Sequence, residues 1–108
     1  MTQVIFFSEG GKLTGFKITG HSTDDCSDTE GKIVCAAVSS AAYMAANTIT
    51  DILHDTAEIN VSDAEMQIKV KSATLCEAVL LGFKLHIDEL AKQYGSRIKV
   101  IIWRNNNA

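Results

Sequence analysis

The stretch GHSTDDCSDTEGKIVCAAVSS, residues 20–40, holds one of the chain's three histidines and two of its three cysteines. His21 follows a glycine, and Cys35 opens a run of small apolar residues 14 positions later. A thiol with a pKa of roughly 8.5 is a weak nucleophile at neutral pH, because little of it is thiolate. A helix N-terminus carries about half a positive charge and favours the thiolate. Its unpaired N–H groups also offer donors to a developing oxyanion. A histidine within hydrogen-bond reach completes a nucleophile–base pair. Cys35 stands in the first turn of a predicted helix, and the intervening loop is long enough to bring His21 back to it. The bland alternative is a small buried Cys and a His that caps a strand end. Spacing alone leaves both open.

The elements that must position these two residues read clearly from the pattern. Val4 to Phe7 is a short apolar run closed by Ser8, Glu9, Gly10 and Gly11, a strand followed by a turn. Residues 12–19 alternate and form its hairpin partner, ending at Gly20 and His21. Residues 22–30 contain no aliphatic side chain and carry Asp24, Asp25, Asp28 and Glu30, which predicts a mobile acidic surface loop. The Ala-rich stretch 33–53 has no Pro or Gly and predicts the first long helix. Ala57, Ile59 and Val61, then Ala64, Met66, Ile68 and Val70, alternate with polar residues about Ser62-Asp63, a second hairpin. Thr74 and Glu77 have capping-box spacing for a second helix, with an apolar stripe of Leu75, Val79, Phe83, Ile87, Leu90 and Tyr94. Lys92 and Gly95 mark its end. Ile98, Val100 and Ile102 form a last strand.

The order is ββαββαβ. It predicts an α+β two-layer sandwich, two helices on one face of a mostly antiparallel four- to five-stranded sheet. The 108 residues fit one domain, with residues 1–104 as its body and 105–108 as a disordered tail. A net charge of -3 argues against direct nucleic-acid binding. The N-terminus has no signal-peptide pattern, and no apolar stretch approaches the roughly 20 residues of a membrane span. The cysteine spacing matches no zinc-finger pattern, so neither metal nor cofactor is expected. The simplest compartment is the cytoplasm, with reduced thiols.

Gly20-His21, the acidic loop, Gly31 and Ile33-Val34-Cys35-Ala36-Ala37-Val38-Ser39 resemble the signature of the ribosomal-processing cysteine protease (Prp) family. That signature is a Gly-His pair, a loop, then Gly-x-Asp-Ile-Val-Cys-Ala-x-x-Ser. Length and element order agree as well, so the resemblance spans nearly the whole chain. It implies a small α/β sandwich that acts as a homodimer. It also implies an endopeptidase that removes an N-terminal extension from a large-subunit ribosomal protein, its substrate and partner. On this match Cys35 is the nucleophile and His21 its base. Ser39 matches the family's Ser, one helical turn beyond Cys35 on the same face. Gly20 and Gly31 support the site. The loop holding Ser22, Asp24, Asp25, Cys26, Asp28 and Glu30 corresponds to a segment that opens for substrate and closes over it.

Two departures stand out. Lys32 occupies the place of the family's Asp, and the loop is longer and contains Cys26. Asp28 or Glu30 would then be the substitute carboxylate. Lys32 either lowers the Cys35 pKa by proximity or marks a changed substrate. The alternative function is a non-catalytic relative that binds a ribosomal protein or the ribosome. A third is a redox or metal site of Cys26, Cys35 and His21, against an incidental thiol at Cys26. Cys76, in the first turn of the second helix, reads as structural. His54 reads as a helix-end cap and His86 as a partly buried structural residue. Trp103 is placed on the sheet or at a subunit interface.

Overall fold

The computed structural model describes residues 1–21, 25 and 27–105. The expectations for Ser22, Asp24, Cys26 and residues 106–108 fall outside these. The described chain forms β1 (Thr2–Glu9), β2 (Lys12–Thr19), α1 (Thr29–Asn47), a π-helical turn (Thr48–Ile52), β3 (Glu58–Ser62), β4 (Glu65–Lys69), α2 (Ala73–Gln93) and β5 (Ile98–Asn105). The five strands make one sheet in the order β3-β4-β2-β1-β5. Three pairings are antiparallel, and β1 with β5 is parallel. The ββαββαβ sandwich is therefore the observed fold.

Alternation decides which side chains enter the core. Val4 and Phe6 of β1, Phe16 of β2, Met66 and Ile68 of β4 and Ile98 of β5 are all buried on the face that the helices cover. Phe6, Phe16 and Phe83 pack as a tilted aromatic trio with centroids 4.5–6.4 Å apart. Gly10 and Gly11 make the β1–β2 turn, both at positive φ, which glycine adopts without strain.

Four details differ from the sequence reading. α1 begins at Thr29, four residues before Ile33, because Asp28 caps it by accepting from the Gly31 N–H at 3.0 Å. α2 is capped by Ser72, whose side chain accepts from Leu75 N at 3.2 Å, and not by Thr74. Both Asp55 oxygens reinforce this cap, accepting from Lys71 N at 2.8 Å and Ser72 N at 2.9 Å. Glu77, freed from a capping role, pairs instead with Lys12. The buried stripe of α2 is Cys76, Leu80, Phe83 and Ile87, while Leu75 is half exposed. β5 also takes in Asn105, which composition had placed in the tail.

The membrane expectation needs a correction too. The rod Thr29–Ile52 has 24 residues and is long and apolar enough to cross a membrane by length and composition. Its alanines raise hydropathy without bulk. In this fold its Val34, Val38, Ala42, Ala45 and Ile49 side lies in the core, as in a helix that packs on a sheet. The rod ends where Thr48 and Thr50 turn their hydroxyls to the Met44 and Ala46 carbonyls, at 2.7 and 3.1 Å, and compete with the backbone ladder. His54 follows at φ 56°, the only non-glycine residue at positive φ among those described.

Candidate active site

A small cleft of about 90 Å³ opens where the end of β2, the second turn of α1 and the β3–β4 turn converge. Gly20 and His21 enter it from β2, Cys35 and Ser39 from α1, and Asp63 and Ala64 from the β3–β4 turn. Gly20 creates this arrangement. It sits at φ 78°, and a Cβ there would stand 2.6 Å from the Met1 carbonyl oxygen. Only glycine turns the chain so sharply with no side chain in that gap. Its N–H donates to the Ala64 carbonyl at 3.2 Å, which ties the His21 end of β2 to the opposite turn.

Cys35 is half-buried and His21 is exposed. Cys35 and Ser39, one turn apart, face the same space, with buried Val38 anchoring the helix beneath them. His21, Cys35 and Ser39 thus line one cleft.

Its electrostatic basis differs from the sequence reading. With α1 starting at Thr29, Cys35 is the seventh helical residue and lies outside the first turn. The dipole effect falls off within that turn. The N–H of Cys35 lies in the interior of the helical ladder, beyond the four orphan donors of the N-terminus. The cap residue itself is also held from far along the chain. Arg97, in the turn between α2 and β5, grips Asp28 with two bonds, Nη1 to Oδ2 at 2.7 Å and Nη2 to Oδ1 at 3.0 Å. Its Nε lies 3.9 Å from Glu30. The Asp28 bonds hold the guanidinium pKa above its ordinary value, with smaller contributions from Glu30 and Cys35. Arg97 therefore lies within the field of the Cys35 sulfur. Sequence reasoning passed over it because an Arg before a strand carries no local signal.

The other predicted residues divide plainly. Lys32 and Glu30 are exposed and do not line the cleft; Gly31 is buried beneath the cap. Asp28 caps α1, binds Arg97 and does not line the cleft. Asp25 is exposed and accepts from both the N–H and the hydroxyl of Ser27, bonds that hold its pKa low. Among the described residues, no three His, Cys, Asp or Glu side chains gather as a metal site. Cys76 is fully buried, and its pKa is pushed up to about 11, first by burial and then by Asp55. His86 is exposed, not partly buried, and lines a larger apolar groove of about 640 Å³ between α1 and α2. That groove holds no cysteine and no carboxylate. Trp103 stands on the open face of the sheet, edge-on to Phe7 with centroids 5.5 Å apart.

A family model described as cysteine protease Prp matches residues 1–99. The chain belongs to the cysteine protease Prp family. Solved structures of similar fold include SMU.848 from Streptococcus mutans, 24% identical over 97% of this chain and 96% of that one, with a TM-score of 0.85. They also include the essential ribosomal processing protease Prp from S. aureus, solved with a covalently linked product peptide and with a substrate peptide. Each of these is 19% identical over 95% of this chain and 100% of that one, with TM-scores of 0.85 and 0.84. No match was found among curated protein sequences.

Proposed function

We propose that this chain is a cysteine endopeptidase that removes the N-terminal extension of a large-subunit ribosomal protein, working as a homodimer in the cytoplasm. The carrying observation is the convergence of His21, Cys35 and Ser39 in one cleft of a Prp-family fold. The S. aureus relative, a ribosomal processing protease captured with peptides, supports the substrate class. Exposed Ile33, Tyr43, Met44, Leu81 and Leu85 on the two helices supply an apolar face for a second copy.

In the mechanism, His21 takes the Cys35 proton, and the thiolate attacks the scissile carbonyl carbon. The C–N bond then breaks, and the imidazolium returns its proton to the leaving amine. Water hydrolyses the acyl-enzyme with His21 as base. The Ser39 hydroxyl is a donor in the cleft for the oxyanion, in place of the helix-start N–H groups first considered. The test is cleavage of an N-terminally extended ribosomal protein by the wild-type chain and by Cys35→Ala. Equal cleavage by both would remove Cys35 from the mechanism.

A second reading is a non-catalytic binder of the same partner. Lys32 at the family's Asp position and the ladder-bound N–H of Cys35 favour it. It predicts binding without cleavage, and a Cys35 no more reactive toward iodoacetamide at pH 7 than an ordinary exposed thiol. A rapidly alkylated Cys35 would dismiss it.

A further inference from the structure

The β2–β4 ladder pairs Gly15 with Lys69, Phe16 with Ile68, Lys17 with Gln67, Ile18 with Met66 and Thr19 with Glu65. The Gly20 N–H to Ala64 carbonyl bond carries the same register one step further. Asp63 precedes Ala64 in the β3–β4 turn, just past the end of the ladder. The left-handed turn at Gly20 swings His21 toward the helices, and both His21 and Asp63 line the cleft that holds Cys35. Asp63 is exposed. Among the described residues, Asp63 is the one carboxylate that lines this cleft; Glu65 pairs with Lys17 at 3.2 Å and Asp28 with Arg97.

We propose that Asp63 is a positioning residue for His21. This rests on the peptidase reading above. Its carboxylate accepts from one ring N–H of His21 and leaves the other ring nitrogen to take the Cys35 proton. Asp63 stays ionised throughout. The proton moves from Cys35 Sγ to His21 and then to the leaving amine, and the carboxylate stabilises the imidazolium between these transfers. The titratable groups that share the cleft with His21 are Asp63 from the β3–β4 turn and Cys35 from α1. Arg97 lies further off, spent on Asp28 and Glu30. Asp63 is thus the anionic group placed to hold the imidazolium. The sequence offers Asp28 or Glu30, close to Cys35 in the chain, as the orienting carboxylate; the β3–β4 turn brings Asp63 to the cleft from the other hairpin.

The experiment compares wild type, Asp63→Asn, Asp63→Glu and Cys35→Ala, using an N-terminally extended ribosomal protein as substrate. Alongside, the His21 ring protons are titrated by NMR in the full chain and assigned by their loss in His21→Gln. Asp63→Asn is expected to lower kcat by about tenfold with KM little changed. It should also move the acidic limb of the kcat/KM profile and the His21 titration to lower pH. Asp63→Glu should restore most of both. An unchanged His21 titration in Asp63→Asn overturns the proposal. So does a raised KM with an unmoved pH profile, since that is a substrate contact. If Cys35→Ala still cleaves, the peptidase reading falls, and the NMR titration alone still decides whether Asp63 holds His21.

Discussion

Replacing Gly20 by alanine tests how the cleft is built. Two effects add. A residue with a Cβ at φ 78° costs roughly 1–2 kcal/mol of backbone strain. The new Cβ would also stand 2.6 Å from the Met1 carbonyl oxygen, and real Cβ atoms essentially never come nearer than 3.0 Å, so something must move by several tenths of an ångström. Met1 cannot retreat freely, because the next residue, Thr2, is tied by its N–H to the Arg97 carbonyl at 2.9 Å. The displacement therefore falls largely on Gly20 and His21. A misplacement approaching 1 Å costs up to about 100-fold in rate, so about a tenfold loss in kcat/KM is expected, with a stability loss of about 2 kcal/mol. Gly10 and Gly11 are the controls. They share the positive φ, but a Cβ at either meets nothing within 4 Å. Gly10→Ala and Gly11→Ala should therefore lose stability and keep activity. The assay is peptide-substrate cleavage beside urea denaturation of the same samples. If Gly20→Ala keeps kcat/KM within twofold while losing stability as the controls do, the close approach to Met1 does not set the His21 position.

Two further predictions concern the scaffold. Asp55→Ala removes both acceptors at the start of α2, each a charge-assisted bond of about 1.5–3 kcal/mol. Water reaches exposed Lys71 in part, so a net loss of about 3 kcal/mol is expected, read as a lower urea midpoint at unchanged m-value; a loss under about 1 kcal/mol would reject the cap. Cys76 has a folded pKa raised from 9.0 to about 11, so the folded state holds this proton more tightly than the unfolded state. Its contribution to stability is complete below pH 9 and is lost as pH rises through about 11. Wild type should lose more stability than Cys76→Ala between pH 9 and 11, and parallel curves would refute this.

The sheet is largely legible in the sequence. Alternation at 12–19, 57–61 and 64–70 gave both hairpins, because a half-buried strand needs a period of two. The Gly-His and Ile-Val-Cys-Ala match pointed to two residues that line one cleft, His21 and Cys35. The start of α1 was not legible, because Asp28 owes its place as cap to Arg97, 69 positions away. That distance displaced Cys35 from the first helical turn and undid the dipole argument. Asp63 was hidden for a related reason. In sequence it is one polar residue in a turn, and only the fold brings that turn to the cleft that His21 lines. The cap of α2 was misplaced by two residues because Thr74 and Glu77 carry the right spacing, while the tertiary bonds from Asp55 select Ser72.

The parallel pairing of β1 with β5 has a consequence for the order of events during synthesis. β1, the first strand made, sits between β2 and β5, and β5 is the last element in the described chain. Until β5 emerges from the ribosome, β1 has an open edge, and Arg97 is not yet in place to seat the start of α1. Such a contact, closing nearly the full length of the chain, is slow to form and has no local substitute. Both hairpins and α1 can take shape on a nascent chain, but the Arg97 bonds to Asp28 cannot. On the peptidase reading, the start of the helix that carries the thiol is not fully seated until synthesis has passed Arg97.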